Sequence, residues 1–347
     1  MTTTKPADLR IATVQFESAS GDKAANLATI ERFAAAAAAR GCHAVAFHEC
    51  CVPGYTFASR LSRDALWAVA EPIPDGPSTR ALMAAARTHN IVILAGLYER
   101  DETGGEDGAI YNTYVCVSGD AGEGGGGGGG GGGRLLARFR KLHPFISPHL
   151  AAGRELVVFD LLGWKAGILI CYDNNVVENV RATALLGAEV LFAPHVTMCT
   201  PSTRPGAGFV DPALWRAARG QEPATTTTET ATSTLRAEFD GLKGRAWLMK
   251  WLPARAYDNG IYVVFSNPIG MDDDQLKNGC SMVLDPFGDV LAECRKLDED
   301  MAVAVCTRDK LQMAGGFRYR NARRPEVYGE VLARANDSQL KVAWMSK

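Results

Sequence analysis

Short apolar runs alternate along the chain with longer segments of helical period. Leu9-Arg10-Ile11-Ala12-Thr13-Val14-Gln15 reads as a strand, and Lys23 to Arg40, with its alanine run, as a helix. His43–His48 predicts a second strand, Ser78–His89 a helix and Ile91–Tyr98 a third strand. Tyr111–Ser118 and Arg134–Arg140 alternate like the two arms of a hairpin. Gly163–Ile170 and Glu189–Ala193 are apolar enough for buried strands, with a helix between them near Val177–Leu186. Ile261–Ser266, Cys280–Asp285 and Met301–Cys306 add late strands. Strand–helix alternation followed by hairpins predicts an α/β fold in which helices cover the sheet faces.

Two segments interrupt this pattern. Residues 119–133 form a glycine-rich loop ending in an unbroken run from Gly124 to Gly133, which reads as a flexible tip between hairpin strands. No Gly-Lys-Ser/Thr follows it, so it is not a phosphate cradle. The stretch 197–236, rich in Pro, Gly and Thr and including the threonine-rich Ala224–Thr234, reads as an irregular, partly disordered insertion. No linker divides the chain, so a single domain over 1–347 is expected.

Composition narrows the class. The 347 residues carry 37 Lys+Arg against 39 Asp+Glu, a formal net charge of −2, which gives no electrostatic case for a nucleic-acid or anionic-membrane partner. No apolar run approaches the roughly 18 residues of a membrane helix, and the opening MTTTKPADLR lacks the apolar core of a secretory signal. Nine cysteines without repeated spacing fit a reducing, cytoplasmic setting better than a disulfide framework.

Three polar residues follow apolar strands: Glu49 after Phe47-His48, Lys141 after Arg134–Arg140, and Cys171 after Gly167-Ile168-Leu169-Ile170. Ligands of open α/β sheets bind beyond such strand ends. A free thiol, with a pKa of about 8.5, needs a base or a cation beside it to act as a nucleophile at neutral pH. Glu49 can take its proton, Lys141 can stabilise a developing oxyanion, and the Tyr172 N–H is the natural second donor. Taken singly, the same residues read equally as a small buried hydrophobe and two solvated strand-end charges.

Leu9–Gln15, Gly21-Asp22, Asn26-Leu27, Phe47-His48-Glu49 and Pro53-Gly54-Tyr55 resemble the opening of the nitrilase superfamily of carbon–nitrogen hydrolases. Gly96-Leu97-Tyr98-Glu99, Tyr111-Asn112-Thr113, Arg140-Lys141-Leu142-His143 and Ile170-Cys171-Tyr172-Asp173 resemble its later signatures. So do Arg255-Ala256, Asn259-Gly260, Asn267, Asp285-Pro286-x-Gly288 and Arg323-Arg324-Pro325-Glu326-x-Tyr328. The resemblance runs in order over about residues 8–330, leaving 331–347 as a tail. It implies an αββα sandwich, a Glu49–Lys141–Cys171 triad, hydrolysis of a non-peptide C–N bond with no metal or other cofactor, and a homodimer or higher homo-oligomer.

The departures bear on substrate. His48 stands where the family usually has proline. No glutamate occupies the segment after Lys141 where many members carry an auxiliary one, which makes His149 its candidate substitute. Cys171-Tyr172-Asp173 resembles the amidase and carbamoylase branches more than the nitrile-cleaving C-W-E pattern. Asn174-Asn175 stand where carbamoylases of amino acids carry arginines, and asparagine brings no charge to hold a carboxylate. Tyr55, His143, Asn174 and His195 are candidate pocket residues, each with a structural reading beside the functional one. The leading expectation is an amidase acting on a small linear amide, with nitrilase and N-carbamoyl amidohydrolase as rivals. A zinc site on His43, His48, Cys50 and Cys51, and a catalytically silent scaffold, stand outside that chemistry.

Overall fold

The computed structural model describes residues 7–120, 133–197, 208–221 and 227–334. Most of the glycine run, parts of the 197–236 segment and residues 335–347 of the tail lie outside the described residues.

Two six-stranded sheets stack face to face. In the first, β1 (Leu9–Gln15), β2 (Ala44–Ala46) and β3 (Val92–Arg100) run parallel. β4 (Ile110–Ser118) and β5 (Arg134–Arg140) extend one edge as the predicted hairpin, and β14 (Asp300–Cys306) pairs antiparallel with β1 at the other. In the second sheet β7 (Trp164–Ile168), β8 (Val190–Pro194) and β9 (Tyr262–Ser266) are parallel, flanked by β6 (Val157–Leu161) on one side and by β12 (Met282–Leu284) and β13 (Val290–Glu293) on the other. A small hairpin, β10 (Ile269–Asp272) with β11 (Gln275–Asn278), branches off after β9.

The burial pattern explains the layering. β1 is buried on both faces, so it reads as a nearly continuous apolar run. Leu9 and Ile11 join Leu94 and Phe139 in the space between the sheets, opposite Phe192 and Val264 of the second sheet. Ala12 and Val14 face the other way, onto helices α1 (Lys23–Ala39) and α3 (Pro77–His89). α1 turns Ile30, Phe33, Ala34 and Ala37 inward at helical spacing, with Asp22 capping its start by accepting from Ala25 N–H. A short helix, α2 (Arg63–Val69), lies between them in the chain. On the outer face of the second sheet, α4 (Val177–Leu185) buries Val180 and Ala184. Its Thr183 lies so near Gly167 of β7 that a Cβ there would meet the threonine methyl at 2.4 Å. The result is helix, sheet, sheet, helix. Thr13 of β1 ties the two sheets together, donating to Phe265 O at 2.9 Å and bonding Ser266 Oγ at 2.8 Å.

The 197–236 segment corrects one expectation, because it is not irregular throughout. It contains α5 (Pro212–Ala218) and the start of α6 (Thr228–Asp240). α6 forms despite its threonines because Ala231, Leu235 and Phe239 recur at i, i+4 and i+8 and are buried. Phe239 stacks on Trp215 of α5, and Trp215 in turn packs on Gly270 of β10. The described part of this insertion therefore braces the β10–β11 hairpin. Beyond it come α7 (Arg245–Leu248) and α8 (Leu252–Tyr257), then, past β14, α9 (Arg308–Met313), α10 (Gly315–Asn321) and α11 (Pro325–Leu332). No helix among the described residues is long and apolar enough to cross a membrane.

Candidate active site

Each of the three reactive side chains is delivered by a strand end. β2 pairs only over Ala44–Ala46, after which Phe47 N–H still donates to Leu94 O at 2.9 Å. The chain then turns through Cys50 at φ +48°, a left-handed conformation uncommon for a residue with a Cβ. Gly96 of β3 makes room for that turn, since a Cβ there would sit 2.3 Å from Cys50 N. Lys141 directly follows β5, its N–H held by Asn112 O at 2.8 Å. Cys171 opens a short 3₁₀ turn after β7, also left-handed at φ +51°.

The three meet. Lys141 Nζ donates to Glu49 Oε1 at 2.5 Å, with both side chains fully buried. Asn112 Nδ2 donates to the same oxygen at 2.6 Å, and Val196 N–H to Oε2 at 3.1 Å. The Cys171 sulfur lies within hydrogen-bonding reach of Glu49 and of Val196 N–H. Burial, then the Glu49 charge, pushes the Cys171 thiol up to about 12, with Lys141 offsetting only part of this. Burial opposes the Lys141 ammonium, but the Glu49 charge, with that of Asp173 behind it, outweighs this and holds the lysine protonated. The resting site thus has a neutral thiol beside a carboxylate–ammonium pair. Its ammonium lies 5.6 Å from the Tyr55 ring and 5.1 Å from that of Phe145.

Asp173 fastens the lysine loop to the cysteine loop. This buried carboxylate accepts from Leu142 N–H at 3.1 Å, His143 N–H at 2.9 Å and Ile170 N–H at 3.3 Å. His143 is bound to the same group through Nδ1 at 2.8 Å and sits half-exposed against the Tyr172 ring. The Tyr172 side chain is at the rim, edge-on to Phe145.

Two candidates are placed differently from expectation. Asn174, expected to meet substrate, is buried beneath the nucleophile turn. Its Nδ2 donates to Leu169 O at 2.7 Å and to Cys171 O at 3.3 Å, so it holds the turn in shape. His149, expected to replace the auxiliary glutamate, has no ring contact with the three reactive residues among the described interactions. Its backbone N–H donates to Ser147 Oγ. The aromatic ring of Phe145, rather than a second polar group, reaches Lys141 from this segment.

His195 lies in the floor of the site, fully buried against Phe265 and Trp251, with Nε2 at 3.2 Å from Asn174 Nδ2. Burial and the Lys141 charge keep it neutral. Tyr55 is 4% exposed, its N–H pinned by Asp272 of β10 at 3.2 Å, and its hydroxyl has no hydrogen-bond partner. Burial, and then the Glu49 charge, holds that hydroxyl well above 10 and therefore protonated. Asn112 is the contact residue that sequence reasoning missed. The motif Tyr111-Asn112-Thr113 marks its position, but its bond to Glu49 links residues 63 apart.

Among the described residues no group of three or more His, Cys, Asp or Glu side chains is arranged to hold a metal ion. The four residues weighed as zinc ligands are dispersed. His43 Nδ1 accepts from Arg10 N–H, His48 Nε2 bonds Ser18 Oγ, Cys50 donates to Asn112, and Cys51 accepts from Gly96 N–H.

Two stacked sheets flanked by helices, with Glu49 and Lys141 paired at strand ends, define the class as a layered α/β protein. The particular family follows from its sequence: residues 10–314 match the carbon–nitrogen hydrolase family, and the chain belongs to it. An (R)-stereoselective amidase of Pseudomonas sp is 27% identical over 326 residues, covering 93% of this chain and 94% of that protein. A nitrilase of Pyrococcus abyssi is 25% identical over 282 residues, covering 80% and 82%. An N-carbamoylputrescine amidase of Solanum lycopersicum is 25% identical over 348 residues, covering 95% and 97%. In fold, the chain is similar to a double mutant of the amidase from Nesterenkonia sp. AN1 in complex with acrylamide, with a TM-score of 0.63, 19% identity, and 94% and 98% of the two chains covered. The protein is a carbon–nitrogen hydrolase of the nitrilase superfamily.

Proposed function

We propose that the protein is an amidase that releases ammonia from a small, uncharged linear amide through a thioester on Cys171. The observation that carries this reading is the convergence of Cys171, Glu49 and Lys141 in one buried cluster. With the thiol held up to about 12, attack requires concerted proton removal, and Glu49 is the base within reach. The Cys171 S–H proton passes to Glu49 as the S–C bond forms and the carbonyl electron pair moves to oxygen. Lys141 and the Tyr172 N–H stabilise that oxyanion. Collapse breaks the C–N bond, and Glu49 returns the proton to nitrogen, releasing ammonia. Glu49 then activates water, which hydrolyses the thioester to a carboxylic acid and frees the thiol.

The substrate class rests on which groups remain unpaired. The cations at the site are committed, Lys141 to Glu49 and Arg255 to the Asn174 and Asn175 carbonyls at 2.7 and 3.1 Å. That favours an uncharged substrate over one bearing a carboxylate. The unpartnered Tyr55 hydroxyl is the donor available to a bound amide. Nitrile and carbamoyl substrates use the same thiol attack and are kept as rivals by the relatives named above. Self-association through helix faces is supported by exposed Phe317, Val327, Val331 and Leu332 on α10 and α11. The functional test is ammonia release from butyramide, butyronitrile and a butyl-substituted urea at equal concentration. Amide turnover is expected, and turnover of the nitrile with an inert amide overturns the amidase reading.

A further inference from the structure

Glu49 is held by more than its lysine, and the extra support ends at a thiol that the mechanism does not use. Asn112 Nδ2 donates to Glu49 Oε1 at 2.6 Å, while the other end of that amide, Oδ1, accepts from Cys50 Sγ at 3.4 Å. The Tyr98 hydroxyl is within hydrogen-bonding reach of the same sulfur and donates to Tyr55 O at 3.2 Å. Glu49, Cys50, Tyr98 and Asn112 are each at most 1% exposed. They come from β3, β4 and the turn after β2, so the contacts are tertiary and not imposed by local sequence.

An asparagine amide has a donor end and an acceptor end of nearly equal shape. Turned over, Asn112 would present its oxygen to the Glu49 carboxylate, and two acceptors would face each other in a dry interior. The carboxylate selects that orientation, and a donor meeting Oδ1 at the far end holds the amide plane in it. The Cys50 thiol is that donor, and burial, then the Glu49 charge, keeps it protonated. The left-handed turn at Cys50 aims the sulfur there, and Gly96 leaves room for it.

We infer that Cys50 is a positioning residue, fixing the Asn112 amide so that its N–H₂ holds the Glu49 carboxylate in place for proton transfer with Cys171. The inference rests on the reading of Glu49 as base. Loss of the orienting contact frees the amide to turn and slows proton transfer between Cys171 and Glu49. The other titratable groups acting on Glu49 are Lys141 beyond β5, Cys171 after β7, Tyr55 in the following loop and Tyr98 of β3. They are left in place by substitutions at 50.

The test compares Cys50→Ala, Cys50→Val and Cys50→Ser in the full chain. Iodoacetamide alkylation of Cys171 is followed by peptide mass across pH, alongside butyramide hydrolysis and thermal unfolding. Ala and Val remove the donor, Val while filling the space; Ser restores it. Expected for Ala and Val is about a tenfold slower alkylation and hydrolysis at neutral pH, the size of effect one neutral hydrogen bond supplies. Ser is expected to bring both back toward the parent. A fall in melting temperature with parental rates, or equal loss in Ser and Val, overturns the inference. Should Ala fail to fold, Val is judged by the same criteria. Glu49→Gln separates the two levels. If it leaves alkylation and hydrolysis intact, the reading of Glu49 itself fails. If it abolishes them while Cys50→Val behaves as parent, only the role of Cys50 fails.

Discussion

The Tyr55 hydroxyl offers a test in which stability and activity are predicted to move in opposite directions. Tyr55→Phe removes one oxygen and leaves the ring that lies 5.6 Å from the Lys141 ammonium. The oxygen is buried and unpartnered, and its residue is held from elsewhere, by Asp272 at the Tyr55 and Thr56 N–H groups. An unsatisfied buried hydroxyl costs about 1–3 kcal/mol relative to a paired one. Removing it is therefore expected to stabilise the free enzyme, by about 1–2 kcal/mol or about 1–3 °C in melting temperature for a chain of this length. If a bound amide is the missing partner, the same change removes a hydrogen bond to the reacting group, worth about 10²–10³ in turnover. The assay pairs thermal unfolding with ammonia release from butyramide. Parental turnover in a stabilised variant refutes the idea that substrate satisfies this hydroxyl. A destabilised variant refutes the premise that the hydroxyl lacks a partner.

Three further outcomes follow from the same contacts. Lys141→Met leaves Glu49 buried without its cation and is expected to lose about 3–5 kcal/mol in urea unfolding; most of that loss should return in the Lys141→Met/Glu49→Gln double variant. His48 is lowered from 6.5 to about 3 by burial, and His195 is lowered by burial and the Lys141 charge. Both bind a proton in the unfolded chain before the folded one, so their effect is absent above about pH 6.5 and destabilises progressively as pH falls below it, at up to about 1.4 kcal/mol per pH unit each. His48→Gln should flatten the acid side of the stability curve, and an unchanged slope contradicts the burial argument. Gly96→Ala places a methyl 2.3 Å from Cys50 N and 3.0 Å from the Glu49 carbonyl carbon. It should displace the Glu49 turn and cost activity beyond any loss of melting temperature, whereas a fully active variant would falsify the tight approach.

The strands were legible because burial on both faces leaves apolar runs, as at β1, β8 and β9. The predicted hairpin of β4 and β5 pairs from Thr113 with Arg140 to Ser118 with Arg134, although the loop joining its arms has no pattern at all. β2 is shorter than its apolar run because the chain leaves the sheet at Phe47 to place Glu49. The threonine-rich segment misled because its composition disfavours helix locally, while Ala231, Leu235 and Phe239 are paired with partners distant in sequence. β6, β10, β11 and β13 are only four or five residues long, with little periodicity to read. At the site, the residue types and strand-end positions of Glu49, Lys141 and Cys171 were visible in one dimension. The burial of Asn174 under the turn was not, nor was the bond from Asn112 to Glu49, since each depends on what the fold brings beside it.

The central claim is that Cys171 carries the substrate acyl group. Butyramide turnover quenched in acid and analysed by intact and peptide mass measures this directly. A transient acyl adduct is expected on the peptide containing Cys171, lost together with ammonia release in Cys171→Ala. Ammonia release that persists in Cys171→Ala, or an adduct carried by any other residue, contradicts it.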